Sequence, residues 1–196
     1  FPNNNGTHAL FSANFMVLAK KSSQANYRLH PPNSYSPSYS PGPISRIDGV
    51  DRNFIVKVSA QEISDHRLNY TQPGYAMPQS IADWPAYGDT ALGMAKDLAP
   101  FIDFNANGCY DPENGDYPII KGDEAIYWIN HPSDESIELE YHWMMYGYNV
   151  RSDTPLNRSI FVEYTVINRA TTVYDSIHIG LFVDGDLGNP VDDYVG

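Results

Sequence analysis

The sequence IFVEYTVINRATTVYDSIHIGLFV, residues 160–183, gives the clearest structural signal in this chain of 196 residues. In residues 160–168 and again in residues 173–183, apolar side chains recur at every second position. A period of two is typical of β-strands. The polar turn between the two segments, residues 169–172, is too short to hold a crossover helix. We therefore predict two long antiparallel strands.

The segment before this pair shows the same alternation. Ile137, Leu139, Tyr141, Trp143 and Met145 fall on one side of a strand, and Glu138, Glu140 and His142 fall on the other. We expect the polar side to face solvent. Residues 125–130, AIYWIN, add a further strand, and no crossover helix separates any of these segments. The predicted fold is all-β, an antiparallel β-sandwich of jelly-roll or immunoglobulin-like type, with long loops and one or two short helices.

The first half of the chain is less regular. Residues 10–19 read as a first strand, and the Pro-, Ser- and Tyr-rich residues 30–43 are predicted to run as an extended loop. Residues 54–60 form a short strand, and the capping-box spacing of Ser59 and Glu62 predicts a short helix after it. Residues 78–84 predict one more helical turn. We therefore divide the chain into an N-terminal segment, residues 1–50, and a sandwich domain, residues 51–196, which we expect to continue beyond residue 196.

The composition excludes several classes of protein. The chain is 42% hydrophobic and 13% aromatic, which supplies a core and argues against disorder. Its formal net charge is −12, from 12 Lys+Arg and 24 Asp+Glu, so it lacks the basic surface of a nucleic-acid-binding protein. Its apolar runs are far shorter than the roughly 20 residues of a membrane-spanning helix. The single cysteine, Cys109, cannot form an internal disulfide.

The first of two acidic windows begins DFNANGCYD, residues 103–111. Oxygen-bearing side chains at positions 1, 3 and 5, followed by Gly108 at position 6, match the opening of an EF-hand loop. Position 12 is Asn114 rather than glutamate, so the pattern is closer to the shorter calcium loops of β proteins. The alternative is a set of Asx turns without an ion. The predicted ligands are Asp103, Asn105, Asn107, the backbone carbonyl of Cys109, Asp111 and Asp116.

The second acidic window, DGDLGNPVDD, spans residues 184–193 and follows the last predicted strand. Like charges in a tight turn repel one another, and Ca²⁺, which takes six to eight oxygen ligands, compensates them. We therefore expect Ca²⁺ at both windows. The spacing here matches no standard loop, so an acidic solvated turn is the alternative. The predicted ligands of this second site are Asp184, Asp186, Asp192 and Asp193.

Signatures of catalysis are weak by comparison. The sequence holds no H-E-x-x-H motif, no G-x-S-x-G elbow and no Gly-rich phosphate loop. Glu138 and Glu140 have the spacing to present paired carboxylates as in a glycosidase, although a solvated strand face is favoured. Aromatic side chains could form a stacking surface for sugars, although core packing explains them equally well. These aromatics are Trp84, Trp128, Tyr146 and Tyr148.

Five segments, taken together, resemble a known family. They are SIADWPAYG (80–88), LAPFIDFNANGCYDPENGDY (98–117), PIIKGDEAIYW (118–128), VINR (166–169) and IGLFVDGDLGNPVDDYVG (179–196). They are similar to segments of large secreted surface proteins of Bacteroidota. Members of this family often carry a C-terminal sorting domain for the type IX secretion system and are sometimes labelled gliding-associated.

This resemblance implies an extracellular, calcium-rich β protein at the cell surface or released from it, exported by the type IX secretion machinery. It implies no established catalytic activity and no substrate. Exported proteins of this phylum are O-glycosylated at Asp-Ser/Thr followed by a small or aliphatic residue. Residues 89–91 and 175–177 fit that pattern, so the resemblance implies glycans at Thr90 and Ser176.

We therefore expect a secreted, calcium-binding structural or adhesive module of a bacterial cell-surface or extracellular assembly, such as a filament or sheath. We expect it to be non-catalytic, with cell-surface proteins, further copies of itself or glycans as partners. The alternative is a carbohydrate-binding or glycan-degrading module that uses Glu138 or Glu140 with exposed aromatics.

Overall fold

The computed structural model describes residues 10–33, 35, 38–47, 54–150, 152 and 154–185. The strands are β1 (Leu10–Lys21), β2 (Arg28–His30), β3 (Tyr39–Pro41), β4 (Ile55–Ser59), β5 (Phe101–Ile102), β6 (Tyr117–Pro118), β7 (Glu124–Pro132), β8 (Leu139–Gly147), β9 (Phe161–Asn168) and β10 (Tyr174–Gly185). The α-helices are α1 (Ala60–Asn69), α2 (Gln79–Ala82) and α3 (Thr154–Asn157). The chain is mostly β, with antiparallel sheets and few short helices, as the sequence predicts.

The strands form three sheets. The first has the order β10-β1-β2 and the second the order β3-β7-β8-β9, with β4 also pairing with β7. The third is the short pair β5-β6. The pairings of β7 with β8 and of β8 with β9 are antiparallel over most of each strand. A short connection joins β7 to β8, and a longer one that contains α3 joins β8 to β9.

The chain divides into two compact units whose segments alternate along the sequence. Unit 1 comprises residues 1–39, 132–138 and 170–196, and unit 2 comprises residues 40–131 and 139–169. In unit 1, the apolar side chains of Phe15, Val17 and Ala19 on β1 are buried. The ammonium group of Lys21 lies 2.6 Å from the carboxylate of Glu138.

The predicted long strands are present in the structure. The strand predicted over residues 10–19 is β1, which extends two residues further, to Lys21, and the strand predicted over residues 173–183 is β10. The Pro-rich residues 30–43, predicted to be a plain extended loop, instead include part of β2 and all of β3. On β10, the apolar row predicted to share one face is exposed, since Ile177, Ile179, Leu181 and Val183 are 38–70% accessible.

The predicted capping box is present at the start of α1. Ser59 Oγ accepts the Glu62 N–H at 3.1 Å, and the Glu62 carboxylate accepts the Ser59 N–H at 2.7 Å. These two bonds satisfy backbone donors that a helix leaves free at its first turn. The helical turn predicted over residues 78–84 is α2. Within the described ranges, none of the helices has the length and apolar character needed to cross a membrane.

The core of unit 2 lies on one face of the second sheet. Apolar side chains of β4 and β7 pack there against α1, α2 and the segments that follow them. The buried members of this core are Val56, Val58, Ile63, Ile81, Trp84, Ala86, Leu98, Ala99, Tyr127 and Ile129. Burial of Trp84, with its indole N–H donating to the carbonyl of Pro100 at 3.0 Å, shows that it is not an exposed aromatic.

Glu140 and His142 on β8 are buried, which corrects the prediction of a solvated polar face. Glu140 is 0% exposed and His142 is 7% exposed. One carboxylate oxygen of Glu140 accepts the Ile44 N–H at 2.7 Å, and the other lies 2.7 Å from Nε2 of His142. The hydroxyl of Tyr127 lies 2.9 Å from Nδ1 of the same ring. The alternation correctly places Glu140 and His142 on one face, but that face is covered by the core of unit 2.

Replacement of Glu140 by alanine should lower the free energy of unfolding by about 3–5 kcal/mol, because it leaves the Ile44 N–H and His142 buried without their partner. Urea denaturation at neutral pH measures this loss. The matched control is Glu163→Ala on β9, which removes an exposed ion pair with Lys121 and should cost little. Equal losses in the two variants would contradict a structural role for the buried carboxylate.

Candidate functional site

The predicted calcium-binding segment forms a loop, residues 103–116, which we call the acidic loop. It connects β5 to β6, where Phe101 pairs with Pro118 and Ile102 pairs with Tyr117. This antiparallel pair brings the two ends of the acidic loop together. The oxygen-bearing side chains within the loop are therefore held in a small volume.

The first half of the acidic loop is organised by the carboxylate of Asp103. Its two oxygens accept the N–H groups of Asn107 at 3.1 Å and Gly108 at 2.7 Å. The side-chain oxygen of Asn105 also accepts the Asn107 N–H. Gly108 has a φ of +79°, a left-handed conformation that glycine adopts without steric cost. Gly108, at position 6 of the motif, thus makes the sharp turn of the loop.

The second half of the acidic loop is centred on the carboxylate of Asp111. The side-chain amides of Asn105, Asn107 and Asn114 donate to it over distances of 2.7–3.3 Å. The hydrogen bond from Asn114 is the main reason that the pKa of Asp111 is lowered. Three amides and one ionised carboxylate thus converge on one point at the surface.

Asp116 anchors the acidic loop on its buried side. The residue is 0% exposed, and its carboxylate oxygens accept the Phe104 N–H at 2.8 Å and the Asp111 N–H at 2.9 Å. Burial is the main reason that the pKa of Asp116 is raised, and the nearby Asp111 carboxylate raises it further, against the opposing effect of these two N–H groups. The bonds join the start of the loop to its second half.

His66 connects this arrangement to α1. The ring is fully buried, with Nε2 lying 3.1 Å from the carbonyl oxygen of Asp116 and Nδ1 lying 3.2 Å from the hydroxyl of Tyr75. Burial lowers the pKa of His66 and so favours the neutral ring. In the neutral ring, Nε2–H donates to the carbonyl and Nδ1 accepts the Tyr75 hydroxyl proton.

The structure therefore brings together Asp103, Asn105, Asn107 and Asp111 of the predicted ligand set. Cys109 is exposed, and its backbone N–H donates to the side-chain oxygen of Asn107 at 2.7 Å. In the part of the chain that the structure describes, no group of three or more His, Cys, Asp or Glu side chains has a metal-binding arrangement. Any ion in the acidic loop would thus depend on amide and backbone oxygens as well as carboxylates.

The second predicted ion site lies mostly beyond the described residues. Asp184, at the end of β10 in unit 1, accepts a hydrogen bond from the hydroxyl of Tyr35 at 2.8 Å. The other three predicted ligands, Asp186, Asp192 and Asp193, lie outside the described residues.

The two predicted glycosylation positions have different surroundings. Thr90 is exposed and begins a short 3-10 helix, Thr90–Leu92, that is capped by the side chain of Asp89. Ser176 lies on β10, and its hydroxyl donates to the hydroxyl of Tyr27 at 3.0 Å.

An aromatic row crosses the second sheet on the side opposite its core. Trp128, Trp143 and Tyr164 occupy paired positions on β7, β8 and β9. The two indole rings are parallel with centroids 5.6 Å apart, and the Tyr164 ring lies 5.3 Å from Trp143. Trp128 and Trp143 are half-buried, and Tyr164 is 41% exposed. The alternation of β8 and β9 contained the signal for Trp143 and Tyr164, but only the register shows that they meet Trp128.

Tyr146 and Tyr148 form a separate aromatic cluster. Tyr146 stacks on Phe161 with ring centroids 5.4 Å apart, and Tyr148 meets the same ring edge-on. These two tyrosines therefore contact Phe161 rather than the aromatic row.

Sequence reasoning missed Arg67 on α1. Its guanidinium group lies over the ring of Tyr117, 4.9 Å from the ring centroid. These two residues are distant in the sequence, and no local pattern signals that they meet.

Comparison of the chain with protein-family models, curated proteins and solved structures finds no match.

Replacement of Asp116 by asparagine should destabilise unit 2 by about 1–3 kcal/mol, since the amide has one acceptor oxygen and leaves one buried N–H unpaired. Chemical denaturation gives the size of the loss. The control is Asp83→Asn, an exposed position at the end of α2. A loss for Asp116→Asn no larger than that of the control would contradict the proposed anchoring role.

Proposed function

We propose that this chain is a secreted, calcium-binding structural or adhesive module of a bacterial cell-surface or extracellular assembly. The observation that carries the proposal is the acidic loop. Its oxygen donors are gathered at one exposed point by the β5–β6 pair, the turn at Gly108 and the buried Asp116. Carboxylate, amide and carbonyl oxygens are the ligands that Ca²⁺ prefers.

The donor set of the acidic loop fits a calcium ion. Asp103 and Asp111 supply carboxylates, Asn105 and Asn107 supply amides, and Cys109 supplies a backbone carbonyl. Rotation of an Asn side chain by 180° exchanges its nitrogen for its oxygen, so the amides that now donate to Asp111 have an acceptor to turn toward a cation. We assign Asp116 a positioning role, because it is 0% exposed and its carboxylate links the backbone of Phe104 to that of Asp111.

Charge is a second support for the proposal. With a formal net charge of −12, the protein gains from bound cations, which reduce the repulsion among its carboxylates. Export by the type IX machinery, glycans at Thr90 and Ser176, and a second calcium site at residues 184–193 belong to the same proposal. So does the finer description of the fold as a β-sandwich of jelly-roll or immunoglobulin-like type.

Removal of calcium should lower the melting temperature by about 5–10 °C. An ion present at 100 times its dissociation constant stabilises the folded state by about 2.7 kcal/mol, and 1 kcal/mol corresponds to about 2–4 °C at this chain length. A thermal melt with and without excess EGTA measures the shift, and elemental analysis of the purified protein counts the bound metal.

The variants Asp103→Ala and Asp111→Ala should lose the response to EGTA, while Asp83→Ala should keep it. A melting temperature that EGTA leaves unchanged, together with no bound metal, would sink the calcium part of the proposal.

A carbohydrate-binding module is the second candidate function, and the aromatic row is the observation that favours it. Half-exposed indole and phenol rings on a sheet provide apolar surface with polar edges. The paired-carboxylate version of this hypothesis has no such support. Glu140 is 0% exposed with both oxygens hydrogen-bonded inside unit 2, and Glu138 is ion-paired with Lys21 in unit 1.

If the aromatic row binds sugars, Trp128→Ala should reduce the affinity for a neutral oligosaccharide at least tenfold, because an indole face would be lost. A panel of neutral oligosaccharides screened by isothermal titration calorimetry tests this. The control variant is Tyr148→Ala, in the separate aromatic cluster, which should bind as the parent does. Absence of binding across the panel, or equal binding by the two variants, would count against the second candidate.

A further inference from the structure

A groove runs along one side of α1 in unit 2, and we call it the α1 groove. It has two adjoining compartments, of about 250 and 370 Å³, and Ser64 and Arg67 line both. The smaller compartment is closed by Tyr70, Phe104 and Gly115. The larger one continues past Tyr117 toward Gly122. Arg67 therefore stands at the junction of the two compartments.

The guanidinium group of Arg67 is available to a ligand. It is held over the ring of Tyr117 at 4.9 Å from the centroid, a cation–π contact that uses its face and not its N–H donors. Among the described residues, no carboxylate lies within ion-pairing distance of it. An exposed guanidinium without an acidic partner is notable in a protein whose formal net charge is −12. The charge of this position therefore favours an anionic ligand, and the N–H fork matches a carboxylate.

The walls of the smaller compartment are aromatic and preformed. The rings of Tyr70 and Phe104 meet edge-on with centroids 6.1 Å apart. Gly115, at a φ of +104°, leaves room for both rings, since a Cβ atom there would lie 2.9 Å from Cζ of Tyr70. Phe104 is 61% exposed. A ligand with apolar C–H faces would thus find ring surface beside the guanidinium group.

We propose that the α1 groove binds a uronate residue of an acidic polysaccharide, with its carboxylate on Arg67 and its pyranose ring against Tyr70 and Phe104. The two compartments, at about 250 and 370 Å³, lie below or near the lower end of the usual range of about 300–1,000 Å³ for ligand pockets, so they suit a group of the size of one sugar ring rather than a bulky ligand. The inference rests on the proposed adhesive function and names the class of ligand to which the module adheres.

The test uses the full chain and two oligosaccharides of equal length, tetragalacturonate and a neutral galactotetraose. Titration calorimetry at low ionic strength should show binding of the acidic probe and little of the neutral one. The variant Arg67→Gln should weaken tetragalacturonate binding by about 10- to 100-fold, the range expected for loss of a hydrogen bond to a charged group. Phe104→Ala should weaken it while leaving Arg67 in place.

The matched control is Arg158→Gln, a change at another exposed arginine of unit 2, which should bind as the parent does. Equal affinity for the two oligosaccharides, no measurable binding of tetragalacturonate, or equal binding by Arg67→Gln and Arg158→Gln would each overturn the inference. Preference for a short peptide through its terminal carboxylate would overturn it as well.

The EGTA melt, repeated on the same samples, separates this inference from the proposed function. If tetragalacturonate does not bind but EGTA still lowers the melting temperature, the proposal for the α1 groove is refuted and the calcium site is not. Binding in the groove without any calcium response refutes the calcium site alone.

Discussion

The buried carboxylate of Asp116 is the constraint on which the acidic loop and the α1 groove depend. A carboxylate removed from water is costly unless hydrogen bonds replace its hydration. Here the replacement comes from the N–H groups of Phe104 and Asp111, which lie at opposite parts of the acidic loop. The carbonyl of the same residue receives the ring of His66 from α1. One residue thus fixes the shape of the loop and its position against the helix.

This arrangement makes the acidic loop and the α1 groove parts of one structure. Phe104 follows the first predicted ligand, Asp103, and its ring forms a wall of the groove. Gly115 precedes Asp116 and leaves the space that Tyr70 and Phe104 fill. A change in the order of the acidic loop would therefore change the groove. The two proposed properties, ion binding and adhesion, are joined through backbone atoms only a few residues apart.

Much of the β structure could be predicted from the sequence, because apolar alternation reports directly which residues share a strand face. The start of α1 was predictable for a similar reason, since the capping box is a local pattern. The burial of Glu140 was not, because alternation does not show what packs on a face. Likewise, the acidic loop was visible as a motif, whereas the meeting of Arg67 and Tyr117 depends on tertiary packing. In both cases, local sequence patterns do not show which distant segments of the chain are in contact.

The pairing of β1 with β10 has a consequence for folding. Val17 lies opposite Ile179, so a strand from the beginning of the sequence obtains one of its partners only from the far end. Closing so long a loop costs conformational entropy, and the chain loses this entropy before the pairing contributes any stability. Unit 2 has its segments closer together and can order first. We therefore expect a high contact order for unit 1 and a slow final folding step in which β1 pairs with β10.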